Sequence, residues 1–126
     1  MPFVQIEPHD IVPARGGGHV LGTAQELPGC GNCLLAITVD WCRFCRDLKD
    51  SVSVAMTVQP FTYMYMVGDT LEAKWKMRDL GCRTYPSIFV VSPDGTIGPR
   101  YEGKREPADL LKALRLGLPA KFSRPT

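Results

Sequence analysis

Apolar and polar positions along the chain change period several times, and each change marks an element. The run Leu34-Leu35-Ala36-Ile37-Thr38-Val39 is nearly all apolar and reads as a central strand. Beyond it, Cys45, Leu48, Val52 and Ala55 recur at i, i+3, i+7 and i+10, one stripe of a helix running from about Cys42 to Met56. Phe61–Val67 is apolar on both faces, as expected of a parallel strand covered by helices on each side, which makes its methionines core residues. Asp69 with Glu72 gives a capping-box-like start to a helix over Thr70–Leu80, in which Leu71 and Trp75 are expected to face inward and Gly81 to end it. A strand over Ser87–Ser92, a turn at Pro93-Asp94-Gly95 and a strand over Thr96–Tyr101 follow. Gly98-Pro99 marks that last strand as an edge, because proline cannot donate to a ladder. The final element is a helix over Pro107–Leu116, with Pro107 at its first position, Leu110, Leu111, Leu114 and Leu118 as its core face, and Gly117 as its stop.

Residues 1–32 lack such periods. Pro2, Pro8, Pro13, the run Gly16-Gly17-Gly18, Pro28 and Gly29 interrupt any long element, leaving a short strand at Phe3–Ile6 and a short helix around Thr23–Leu27. The expected organisation is an irregular N-terminal arm over 1–32 laid on one α/β domain over 33–118, with a C-terminal tail over 119–126. His9 and His19 fall in the arm without a neighbouring ligand pattern and read as exposed loop residues.

Composition narrows the classes. With 126 residues, 44% of them hydrophobic, the chain can bury one core and has no length for a second domain. A formal charge of +2 is too small to argue for nucleic acid. Lys and Arg do gather near residues 43–49 and in the last quarter, which is either solvated surface or a preference for acidic partners. No run approaches the roughly 20 apolar residues of a membrane span, and no secretory signal pattern opens the sequence. A cytoplasmic protein is the expectation, and in a reducing compartment five cysteines read as catalytic or metal-binding rather than as a disulfide scaffold.

The chemistry centres on Trp41-Cys42-Arg43-Phe44-Cys45, directly after the central strand. Residues i and i+3 at the start of a helix share a face, so two thiols at that spacing can cycle between dithiol and disulfide without unfolding. The first thiol stands at the helix N-terminus, where unpaired N–H groups and the macrodipole favour an anion. Arg43 and Arg46 add positive charge beside it. Cys42 is therefore the expected nucleophile and Cys45 the expected resolving thiol. Structural zinc uses the same Cys-x-x-Cys spacing, and the rest of the chain must decide between the two readings.

The order of elements, with Trp-Cys-x-x-Cys opening the first long helix and Thr84-Tyr85-Pro86 opening a strand about forty residues later, resembles the thioredoxin superfamily over roughly residues 33 to 118. Gly81-Cys82-Arg83-Thr84-Tyr85-Pro86 looks like the Gly-Val-Arg-Gly-Tyr-Pro stretch common in thioredoxins, and Ser92-Pro93-Asp94-Gly95 occupies the place of their hairpin turn. The resemblance implies an α/β fold, a central mixed β-sheet flanked by helices on both faces. It also implies a cis Pro86 beside the dithiol, Trp41 packed against the dithiol, the Tyr85 peptide and Pro86 holding the partner's chain, and Gly103 leaving room for it. With Arg43 and Phe44 between the cysteines, these residues form the expected substrate face.

Two positions depart from the family pattern. Thioredoxins carry a buried carboxylate six residues before the first cysteine, where this chain has Ala36; Asp40 could serve only if it turned inward. The inter-cysteine pair is Arg-Phe rather than Gly-Pro, and a basic residue there is expected to stabilise the thiolate and make the pair somewhat more oxidising than thioredoxin, which leaves the net direction of electron flow open.

A second pair, Cys30-Gly31-Asn32-Cys33, is not explained by the resemblance. A zinc site shared by all four cysteines is opposed by distance: a strand rising about 3.3 Å per residue puts the pairs roughly 20 Å apart, whereas sulfurs on one zinc lie within about 4 Å of each other. No metal site is expected. Cys30 and Cys33 are a candidate second disulfide, either structural or redox-active, and Cys82 reads as a small core residue, with a regulatory thiol near Tyr85-Pro86 as the alternative.

The expected function is a thiol–disulfide oxidoreductase acting on protein disulfides, with no bound cofactor and with electrons from a reductase or a small thiol. The alternative is a thioredoxin-like domain serving as a non-catalytic interaction or structural subunit of a larger assembly.

Overall fold

The computed structural model describes residues 3–22 and 32–116. Seven strands form one mixed sheet in the order β1-β5-β4-β6-β7-β3-β2. They are β1 Phe3–Gln5, β2 Ile11–Pro13, β3 His19–Leu21, β4 Cys33–Thr38, β5 Tyr63–Val67, β6 Ser87–Val91 and β7 Thr96–Tyr101. Three α-helices accompany them among the described residues, α1 Arg43–Val58, α2 Leu71–Leu80 and α3 Pro107–Leu116, with a 3-10 turn at Pro8–Asp10. β1, β5 and β4 run parallel, and β6, β7, β3 and β2 continue the sheet antiparallel.

β4 lies between β5 and β6, and its two faces are covered by α2 on one side and by α1 and α3 on the other, which is why its sequence is apolar without alternation. The pleat nevertheless divides it. Cys33, Leu35 and Ile37 pack with Met64, Met66 and the α2 residues Ala73 and Met77 on one side. Leu34 and Ala36 pack on the other with Leu48, Val52 and Ala55 of α1 and with Leu110, Leu111 and Leu114 of α3. The buried residues of α1 are the predicted stripe, Cys45, Leu48, Val52 and Ala55.

Several expectations are corrected. In α2, Leu71 and Trp75 point outward, 73% and 60% exposed, while Ala73 and Met77 face the sheet. A small residue at 73 lets the helix approach β4 and β5, and the larger side chains are left on the solvent side. The cap of α2 is Thr70, whose hydroxyl accepts the Ala73 amide at 3.0 Å, rather than Asp69. β7 is not an edge strand, because β3 pairs with Thr96 and Ile97 on its far side. Pro99 is accommodated where that pairing has ended and where the β6–β7 register shifts, so no ladder bond is lost.

In the segment expected as an irregular arm, the strand expected at Phe3–Ile6 is present as β1 at one edge of the sheet, and the β2–β3 hairpin, which was not expected, stands at the other. The hairpin closes through Gly17 and Gly18, both at positive φ, with the Ala14 amide donating to the Gly18 carbonyl at 2.9 Å. His19, expected in a loop, stands in β3 opposite Ile97. The helix expected around Thr23–Leu27, the stop at Gly117 and the core position Leu118 lie outside the described residues. No helix among the described residues is long and apolar enough to cross a membrane.

Candidate active site

The site forms where β4 leaves the sheet. Val39 is buried, Asp40 and Trp41 make an exposed turn, and the Cys42 amide donates to the Val39 carbonyl at 3.3 Å. The Arg46 guanidinium donates to the Asp40 carbonyl at 3.2 Å and braces the turn from the helix side. Asp40 itself is exposed and does not turn inward.

Cys42 is the N-cap of α1. Its backbone is extended, and its Sγ accepts the Cys45 amide at 3.1 Å, the role an oxygen of Ser, Thr or Asp usually takes. In the thiol form Cys42 donates to the Tyr85 carbonyl at 3.7 Å. Cys45 lies on the inward face of the first turn, and the two cysteines pack with Val39 and Tyr85. Exposure does not distinguish them, at 8% for Cys42 and 6% for Cys45. Burial and then the hydrogen bond to Cys42 push the Cys45 thiol up to about 12, with a backbone hydrogen bond to Val39 and, more weakly, Arg105 opposing.

The opposite wall is the 84–87 segment. The Tyr85–Pro86 peptide bond is cis, and the buried Ser87 hydroxyl donates to the Thr84 carbonyl at 2.6 Å across it. The Tyr85 hydroxyl donates to the Gly68 carbonyl at 2.5 Å, and the Gly68 amide donates to the Thr38 carbonyl at 2.8 Å, so this wall is tied to the ends of both β4 and β5. A Cβ at Gly68 would lie 2.5 Å from Tyr85 Cε1 and 2.8 Å from Ile37 Cγ2, so only glycine fits there. Gly68 is a site-forming residue that the sequence reading missed; a glycine directly after an apolar strand was the available signal.

The remaining candidates divide. Trp41 is 69% exposed and meets Tyr85 edge to face at 5.7 Å between ring centroids, so its neighbour is the Tyr85 wall. Phe44 is 58% exposed, with the Arg105 guanidinium 6.0 Å from its ring, and Arg43 is exposed beside it. Gly103 packs on the Tyr101 ring, whose hydroxyl donates to the Lys104 carbonyl at 2.6 Å. Ala36 is fully buried among apolar side chains on the α1 and α3 side. Cys33 begins β4 on the α2 face, at the other end of the strand from the dithiol. Cys30 lies outside the described residues, and with it the expected Cys30–Cys33 disulfide. Cys82 is buried, donates to the Met77 carbonyl at 3.6 Å and is pushed up by burial, as a core thiol is. Among the described residues, no group of three or more His, Cys, Asp or Glu could hold a metal ion.

A mixed sheet with helices on both faces, a Cys-x-x-Cys capping the first helix and an x-Pro turn against it define the thioredoxin fold, and this chain adopts it. Solved structures sharing the fold include the J-Trx1 fragment of ERdj5, with a TM-score of 0.64 and 14% identity over 91% of this chain and 49% of that one. Zinc-bound human ERp44 gives a TM-score of 0.62 and 15% identity over 90% of this chain and 30% of that one. Thioredoxin f2, in complex with ferredoxin:thioredoxin reductase, gives 0.61 and 14% over 90% and 93%. The chain spans less than half the length of the first two. No protein-family model and no curated protein matches the sequence.

Proposed function

We propose that this protein is a thiol–disulfide oxidoreductase acting on disulfides of partner proteins. The observation that carries the reading is the Cys42 Sγ acting as the N-cap of α1, 3.1 Å from the Cys45 amide and beside the Tyr85 carbonyl. A sulfur in that place is a better acceptor as a thiolate than as a thiol, and the same amide field favours the charge.

In the reducing direction, the Cys42 thiolate attacks one sulfur of the partner's disulfide. A bond forms between Cys42 and that sulfur, the partner's S–S bond breaks, and its other sulfur leaves as a thiolate that takes a proton from water. Cys45 then gives up its proton to water and attacks Cys42 Sγ, closing the Cys42–Cys45 disulfide as the Cys42–partner bond breaks, and the partner's second sulfur leaves as a thiolate that takes a proton from water. The partner gains two electrons and the protein loses two, which a reductase or a small thiol in the cytoplasm returns. No resident cofactor takes part. Trp41, Arg43, Phe44, Tyr85, Pro86 and Gly103 form the surface on which the partner's chain lies, and Cys30 and Cys33 remain a candidate second couple.

One observation favours a second reading, a non-catalytic interaction or structural subunit. The position six residues before Cys42 is a fully buried alanine, and Asp40 is exposed, so neither supplies a buried base for the Cys45 proton. Reduction of insulin by the wild-type protein and by Cys42→Ser, with dithiothreitol as electron source, separates the two readings. The oxidoreductase reading expects turnover that Cys42→Ser abolishes; equal rates with both proteins assign the chain to the structural class.

A further inference from the structure

Between α2 and the segment that leads to Pro86 lies an open groove of about 690 Å³, lined by Lys74, Met77, Arg78, Cys82, Arg83 and Tyr85 among others. Of the described residues that line it, three are cationic and none is acidic. None of these three cations forms an ion pair with another described residue. On α2, Lys74 and Arg78, at i and i+4, edge the groove, whereas both acidic residues, Glu72 and Asp79, fall on the other flank of the helix together with Lys76. Between the flanks stand Leu71 and Trp75, the outward-pointing apolar pair. Asp69, whose charge acts on the Tyr85 hydroxyl, is not among the groove's lining residues.

Three unpaired cations around a concavity with an apolar floor of Met77 and Cys82 make a focused positive field, which attracts carboxylates. The groove and the dithiol share one residue. Tyr85 forms the groove's wall, and the carbonyl of the same residue lies 3.7 Å from Cys42 Sγ.

We propose that this groove receives an acidic segment of the partner protein, so that disulfides flanked by Asp or Glu are selected over neutral ones. The selection rests on the oxidoreductase reading; the binding does not. A protein segment, rather than a small dicarboxylate, is the occupant because the cationic edge continues into the Leu71 and Trp75 ridge, which only a longer chain can cover. Such a segment brings carboxylates to Lys74, Arg78 and Arg83 and an apolar side chain to the ridge.

Two peptides of equal length test this, one with glutamates and one with glutamines flanking a cysteine held as a mixed disulfide. Serine replaces the cysteine in a second copy of each. Binding of the serine peptides, followed by tryptophan fluorescence, reads the groove alone. The rate at which the disulfide peptides form an adduct with the Cys45→Ser protein reads groove and dithiol together. The glutamate peptides should bind and react roughly tenfold better at low salt, and the advantage should shrink as salt screens it. In the Lys74→Gln, Arg78→Gln, Arg83→Gln variant the advantage should vanish while the glutamine peptide reacts at its former rate, which also reports that the variant is folded. Equal binding of the two serine peptides to the wild-type protein, or an unchanged preference in the triple variant, overturns the proposal. Displacement of the glutamate peptide by an equal concentration of glutathione disulfide overturns it as well, because the groove would then serve small carboxylates. A binding preference without any adduct leaves the groove standing and counts against the oxidoreductase reading alone.

Discussion

The backbone amide of Cys45 donates to the Sγ of Cys42 at 3.1 Å, so a sulfur occupies the capping position at the start of α1. Both cysteines are nearly buried. Burial first, and then the hydrogen bond with Cys42, raise the Cys45 thiol.

The first expected outcome concerns labelling. At pH 7 iodoacetamide should modify Cys42 well before Cys45, because the Cys45 thiol is held up to about 12. Below that value its thiolate fraction rises by about tenfold per pH unit, so its labelling should climb steadily with pH. Peptide mapping of the alkylated protein checks this, and Cys45 labelled first at pH 7 would contradict the role assignment.

The same shift predicts a pH dependence of stability. The native thiol titrates at about 12 and the ordinary value is 9.0, so the native state holds a proton that the unfolded chain has lost between them. The associated stability is complete below about pH 9 and is lost as pH rises toward about 12. Burial raises Tyr85, Tyr101 and Cys82 in the same direction. Urea midpoints should therefore fall from pH 8 to pH 10.5, and less so in Cys45→Ala; an equal fall in both proteins would remove Cys45 as a contributor.

Gly68→Ala tests the wall opposite the dithiol. The added methyl would meet the Tyr85 ring and Ile37, so either the Tyr85 hydroxyl leaves the Gly68 carbonyl or the end of β5 shifts. A loss of about 1–3 kcal/mol is expected, as for overpacking elsewhere, together with slower insulin reduction. Wild-type stability in this variant would show that the contact is not held in solution.

α2 provides a paired comparison. Met77→Ala should cost about 2–5 kcal/mol, because the side chain is buried against the sheet. Trp75→Ala should stay within about 0.5 kcal/mol, because the ring stands in solvent. The opposite order would restore the inward Trp75 expected from the sequence.

That comparison also marks what the sequence could and could not reveal. Apolar residues stand at 71, 73, 75 and 77, so bulk alone favours Leu71 and Trp75 as the buried pair. Close packing on the sheet selected Ala73 and Met77 instead, a choice made by the distance between layers and not written in local pattern. β4, β5, β6, β7, α1 and α3 were legible from their apolar runs and turn residues, and β1 from the short apolar stretch at Phe3–Ile6, whereas β2 and β3 have three residues each and no period to read. Within the site, Cys42, Cys45, Tyr85 and Pro86 carried a recognisable spacing. Gly68 and the brace from Arg46 to the Asp40 carbonyl depend on chain segments meeting in space, as does the groove formed by Lys74, Arg78 and Arg83.

The most direct test of the central claim is capture of the mixed disulfide. The Cys45→Ser protein, mixed with a disulfide-bearing protein substrate and quenched with acid, should yield a covalent adduct that dithiothreitol releases and that peptide mapping places on Cys42. An adduct on Cys33 or Cys82, or none on Cys42 while the free Cys42 thiol remains intact, would contradict the account.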